Sequence, residues 1–367
     1  MKFLYFLIVS TPLYSQGLLE TKIFSSTESF HGTPFALNPA VDRSDVLQGD
    51  AILYRETSEH IWTDNDNVEK ADVSGEIQGV GVVTNVGSGL MIGFSYQRLT
   101  YTDTLSRDQR GEVFENWKKQ QSMARIAVEL TEHLHAGFLL KFLDVEYDLL
   151  GSFFINSSER ALLKPSLFGS GGGLVMTFDR MVLSGAWVPT MKGKAKVLGE
   201  EFIVTEPGLS EMTLSSKHQQ MMGGIGVRRW IYRKDDRVNG TTANNENQTQ
   251  LNLMGLNSGM SKVFPMYSRF IDVEAWMTPA LKAGVRLAYT DYEVHTDLQR
   301  TFPGEEAVSR KFSAFHLQAH ATIKTKGAEL SLMALRDSRK WEGENNNRPL
   351  SYKQKEQSIV FQVRSQI

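Results

Sequence analysis

The chain has 367 residues, 41% of them hydrophobic and 22% charged, with 40 Lys and Arg against 42 Asp and Glu. That length allows a large core or two ordinary domains, and a net charge of -2 gives no electrostatic case for nucleic acid or an anionic membrane surface. No run after the N-terminus approaches the ~20 apolar residues of a membrane helix, and the lack of cysteine excludes disulfides, thiolate metal sites, a Cys nucleophile and a lipid-bearing Cys.

The first 17 residues, "MKFLYFLIVSTPLYSQG", combine the positive Lys2, an apolar run at 3–9, the helix breaker Pro12 and the small residues Ser15 and Gly17. This is the pattern of a cleaved export signal over residues 1–17. Residues 18–48 show no alternation. Phe30, Phe35, Ala36, Leu37 and Val41 nevertheless make this segment too apolar for a solvated tail, so some surface must cover it.

From residue 49 to 367 the chain alternates. A first strand is expected at 51–63. Leu90, Ile92, Phe94 and Tyr96 then alternate with Met91, Gly93, Ser95 and Gln97. Ala124, Ile126 and Val128 alternate with Arg125, Ala127 and Glu129, and Ala136, Phe138, Leu140 and Phe142 follow with Gly137 and Lys141 between them. A weaker strand is expected at 200–213. Leu281, Ala283, Val285 and Leu287 flank Arg286; Phe315, Leu317, Ala319 and Ala321 flank His316, Gln318 and His320; Ile359, Phe361 and Val363 lead to Arg364. A period of two puts successive side chains on opposite faces of a strand, and these segments match the 9 to 11 residues that cross a bilayer as a tilted strand.

The connections fall into two sets. Turns near Asn85, Thr131, Phe178, Ser215, Thr278 and Thr325 are short, whereas long polar loops are expected at 105–120, 148–165, 234–265, 297–309 and 337–353. One-sided long loops mark an outer-membrane barrel with periplasmic turns and extracellular loops. The expected fold is all-β: a transmembrane antiparallel up-and-down barrel of about 14 strands, 12 being the alternative count, with an N-terminal plug segment. Both chain ends then lie in the periplasm. The apolar face meets lipid, and Arg125, Glu129, Lys141, Arg286, His316, Gln318, His320 and Arg364 face the lumen. A soluble β-sandwich would show loops of similar length at both ends.

Asn38, Pro39 and Ala40, together with "KPSLFGSGGGLVMTFDRMVLSGAWVPTMKGKA" and its Gly185, Trp187 and Pro189, resemble the FadL-like transporters of long-chain fatty acids and other hydrocarbons. The resemblance implies a 14-strand barrel with a small N-terminal hatch at Asn38–Pro39–Ala40 controlling exit, and in that family an inward kink opens a side passage to the membrane. The chain departs from the family pattern at Val41, where Gly is usual, in the Ser, Thr and Phe that precede the signature, and at Ile367 in place of a terminal aromatic. Asn-Pro-Ala is also good turn chemistry in its own right.

Other chemistry is sparse. His316 and His320 share a strand face but lie roughly 13 Å apart, too far to chelate one ion, and no Gly-x-Ser-x-Gly elbow or phosphate loop occurs. No enzymatic activity, cofactor or metal is expected. Asn156, Asn239 and Asn247 begin acceptor-like triplets that read as loop composition. Gly171, Gly172, Gly173, Gly223 and Gly224 interrupt strands and are expected at bulges. The expected role is uptake of small hydrophobic molecules such as long-chain fatty acids across the outer membrane of a Gram-negative bacterium. The alternatives are a surface-contact barrel whose lumen charge pairs close, and a general porin. The expected partners are outer-membrane lipid, the barrel-insertion machinery and a fatty acid or other hydrophobic ligand.

Overall fold

A computed structural model describes residues 35–41, 47–64, 67–107, 111–150, 160–197, 200–231, 241–244, 248–252, 261–296, 308–345 and 348–366. The export signal at 1–17 and residues 18–34 and 42–46 of the expected plug lie outside the described residues, as do Asn156, Asn239 and Asn247 and the terminal Ile367. In chain order the strands are β1 (Gln48–Asp64), β2 (Asn67–Gly87), β3 (Leu90–Arg107), β4 (Gly111–Thr131), β5 (Leu134–Leu150), β6 (Arg160–Leu163) and β7 (Ser166–Phe178). Then come β8 (Met181–Val188), β9 (Met191–Val197), β10 (Glu200–Glu206), β11 (Gly208–His218), β12 (Met221–Ile231), β13 (Thr241–Asn244) and β14 (Gln248–Asn252). The last five are β15 (Ser261–Thr278), β16 (Leu281–Thr296), β17 (Val308–Lys324), β18 (Ala328–Asn345) and β19 (Arg348–Gln366).

Fourteen of these form a closed antiparallel wall: β1 to β5, β7, β8, β11, β12 and β15 to β19. β19 closes on β1 along its whole length, from Gln48 opposite Gln366 to Asp64 opposite Leu350. Closure removes the unpaired sheet edge that an open barrel would carry. The short turns lie where the sequence places them, each joining consecutive wall strands. Gly87, Ser88 and Gly89 turn β2 into β3 with φ of 104°, 53° and 72°, and Gly327 turns β17 into β18 with φ of 116°. This is a backbone region that glycine enters at no steric cost.

The opposite end corrects the expected loops. Residues 105–120 and 337–353 are mostly hairpin: β3 runs to Arg107, β4 starts at Gly111, β18 runs to Asn345 and β19 starts at Arg348. Backbone pairing does not itself need apolar alternation, so the strands run on after the hydrophobic pattern stops. The weak strand at 200–213 is β10 and β11, separated at Pro207, because Pro cannot donate to a ladder.

Polarity is inverted relative to a water-soluble core. Phe315 is 74% exposed on the outer face of β17, while His316, Gln318, His320 and Thr322 are buried on the inner face. On neighbouring strands Leu287, Ile271, Ile225 and Met212 point outward, and Arg286 and Arg228 are among the largest fully buried side chains. Such a surface is stable against hydrocarbon, whose lack of water leaves a closed barrel as one of the few viable backbones.

Candidate functional site: a segment held inside the barrel

The segment at 35–41 lies on the inner side of the wall, with Phe35, Leu37, Asn38 and Ala40 at most 3% exposed. Asn38 organises it. Its Oδ1 accepts the Ala40 N–H at 2.9 Å and starts the single 3-10 turn at Pro39–Val41, an Asx cap that Pro39 supports by fixing its own φ. Its Nδ2 donates to Ser184 Oγ at 2.8 Å and to the carbonyls of Leu174 and Gly185, both at 3.1 Å. One carboxamide thus ties the turn to β7 and β8, the hairpin carrying the second half of the family resemblance.

The wall is thinned to receive it. A Cβ on Gly137 of β5 would stand 2.6 Å from Ala40 N and 2.7 Å from Pro39 C, and one on Gly173 of β7 would overlap Asn38 Oδ1. The expectation of bulges holds for one place only: Gly173, Gly223 and Gly224 pair without a register shift, whereas Gly171 faces a break, β7 pairing with β8 up to Gly172 opposite Trp187 and resuming on β9 with Phe168 opposite Lys192, one residue out of register. Gly173 instead allows close approach of another chain segment.

Leu37 and Phe35 anchor the segment on different parts of the wall. Phe35 reaches Gly79 of β2, where a Cβ would lie 3.0 Å from its ring. Leu37 packs with Met123, Leu139, Ala186, Val188, Leu209 and Trp230, with Met266 against them. Between these anchors Arg125 Nη2 donates to Ala36 O at 2.7 Å. Elsewhere the inner face mixes buried apolar residues such as Ile77, Leu99 and Met333 with buried ion pairs.

Arg228 meets Glu211 at 2.5 and 2.7 Å, Arg286 makes a bidentate pair with Asp272, and Glu274 takes Lys282 at 2.9 Å and His320 at 2.8 Å. Lys119 of β4 pairs at 3.2 Å with Glu206 at the end of β10, both fully buried, so β10 leans over the inner side of the wall. Opposed charges at this spacing offset much of their desolvation only when, as here, each finds a partner.

The other residues expected in the lumen are accounted for individually. Lys141, His316 and Gln318 are buried, and His316 Nε2 lies 3.3 Å from Tyr292 Oη. Arg364 is partly buried, 3.2 Å from Asp50. Glu129 shares the strand face of Arg125 but sits at the short-turn end, where it is exposed. Among the described residues no group of three or more His, Asp or Glu could hold a metal ion. Sequence reasoning missed Ser184, Trp230, Lys119 and Glu206; each belongs to a contact made across strands distant in the chain.

Outside the wall, behind Asn38, lies a concavity of about 560 Å³ lined by Gly172, Gly173, Leu174, Gly185, Trp187 and Met212 among others. The glycine-rich β7 and its neighbour β8 separate it from the docked segment.

The chain matches no protein-family model and no curated protein sequence. Its fold is similar to solved outer-membrane barrels. A Pseudomonas aeruginosa FadL homologue superposes with a TM-score of 0.64 at 10% identity, covering 98% of this chain and 100% of that one. The Pseudomonas putida toluene transporter TodX gives 0.55 at 11% identity, with 90% and 92% covered, and the Ralstonia pickettii toluene transporter TbuX gives 0.50 at 9%, with 91% and 94% covered. The chain has the fold of the FadL-like barrels.

Proposed function

We propose that this protein is an outer-membrane channel for the uptake of small hydrophobic molecules, and that residues 35–41 are the stop in its lumen. The observation that carries this reading is the pairing of a docked, wall-anchored segment with an apolar cluster inside a lumen that also holds buried ion pairs. A porin passing ions and sugars has no use for such a cluster. The inverted polarity supports the outer-membrane location, and likeness to barrels described as toluene transporters supports a hydrophobic cargo. The resemblance at Asn38–Pro39–Ala40 adds long-chain fatty acids to the chemistries worth testing. The reading is of a passage, not of a reaction.

The test is uptake of radiolabelled toluene and of a radiolabelled long-chain fatty acid by bacteria lacking their own hydrophobic-uptake barrels. Cells making this protein should accumulate at least one of them faster than cells making an unrelated porin. Equal rates for both compounds would remove the proposal. They would favour the second reading, a surface-contact barrel, which rests on the ion pairs Arg228–Glu211, Arg286–Asp272 and Lys282–Glu274 filling the lumen.

A further inference from the structure

Trp230 is 4% exposed and belongs to the apolar cluster that holds Leu37. Its indole Nε1 is buried without a hydrogen-bond acceptor. A donor left unpaired in such surroundings loses its interaction with water and gains nothing in return, and the apolar side chains of the cluster have nothing to offer it. A ligand with an apolar body and one acceptor atom, entering this cluster, would supply the missing partner.

The charge of that ligand follows from the cation nearby. The Arg228 guanidinium carbon lies 6.0 Å from the Trp230 ring centroid, but Arg228 is already held by Glu211. A carboxylate at Trp230 would meet an Arg228 already matched by Glu211 and would bring that acid a second negative charge. A neutral oxygen avoids that repulsion.

We infer that the cluster around Leu37 receives a neutral molecule with an apolar body and one hydrogen-bond acceptor, such as an aromatic ketone, and that the Trp230 N–H reads the acceptor. The inference rests on the uptake reading and narrows its cargo. A site built to hydrogen-bond its ligand discriminates against the analogue lacking that group, because the protein's own donor is then left unpaired.

Equilibrium binding to the purified barrel in detergent tests it with three probes of similar size: acetophenone, ethylbenzene and benzoate. Wild-type protein should bind acetophenone about tenfold more tightly than ethylbenzene, the worth of one hydrogen bond, and benzoate no more tightly than ethylbenzene. Trp230→Phe should bind acetophenone and ethylbenzene alike, at the wild-type ethylbenzene level. Should that variant not fold, the indole ¹⁵N–¹H resonance of Trp230 in wild-type protein serves instead, moving downfield with acetophenone and not with ethylbenzene. Equal affinities in the wild type, a preference that survives Trp230→Phe, tightest binding of benzoate, or an unmoved indole resonance would each overturn the inference while leaving hydrophobic uptake standing. If none of the probes binds and uptake is also absent, both fail together.

Discussion

Asn38 makes more of its bonds to distant strands than to its own turn, and that division can be separated experimentally. Asn38→Asp keeps the oxygen that caps Ala40 but removes both N–H donors, leaving a carboxylate facing the carbonyls of Leu174 and Gly185. The turn should persist and the docking should fail. Gly173→Ala reaches the same end from the wall side, since its methyl would overlap Asn38 Oδ1 and overpacking costs about 1–3 kcal/mol. Both variants should raise single-channel conductance in a planar bilayer. Gly185→Ala is the control, because a Cβ there points to open space with only Glu211 O at 3.9 Å, and its conductance should equal that of the wild type. Identical traces for all four proteins would show that the segment does not limit flow.

At the scale of strands, the two faces of the wall predict different responses to the same charge. Leu287 is 53% exposed on the outer face of β16 and Gln318 is buried on the inner face of β17. Leu287→Lys should cost roughly 2–4 kcal/mol of folding free energy near the bilayer midplane, and Gln318→Lys distinctly less. Denaturant titration in lipid vesicles measures both, and equal losses would contradict the orientation of the barrel. β10 offers a second test. Removing Lys119 leaves Glu206 buried without its partner, a change worth about 3–5 kcal/mol when one member of a buried pair is lost. Lys119→Met should lower the thermal midpoint in detergent, and adding Glu206→Gln should recover part of the loss, as a double-mutant cycle detects.

For the whole molecule, what could be read in the sequence divides along the same line as lipid and water. The alternation of Phe315, Leu317 and Ala319 with His316, Gln318 and His320 was legible because a hydrocarbon solvent enforces a period of two. The short turns were legible through Gly87, Gly89 and Gly327. Hairpin ends such as those around Arg107 and Asn345 were not, because backbone pairing continues there without a period-two apolar pattern to mark it. Of the site, Asn38–Pro39–Ala40 and the glycines of β7 stood out. Their partners did not, since Asn38 reaches Ser184 across 146 positions and Lys119 reaches Glu206 across 87. Local pattern carries no record of such pairings.

The seam between β1 and β19 also sets an order in time. Every other neighbouring pair in the wall can form once its own stretch of chain is present, but Gln48 meets Gln366 only after all the intervening strands have been laid down. Bringing such distant segments together is the slow, entropically costly step of a nonlocal fold. Until it happens β1 is an open edge, able to pair with any other strand it meets. A chain stopped before Arg348 should therefore never migrate as a compact, heat-modifiable monomer on a gel and should instead appear as aggregates, whereas supplying residues 348–366 as a separate peptide should restore the compact band. The first strand is a template that stays unread until the last one arrives, and whatever holds that edge safe in the meantime is as much a requirement of this protein as the strands themselves.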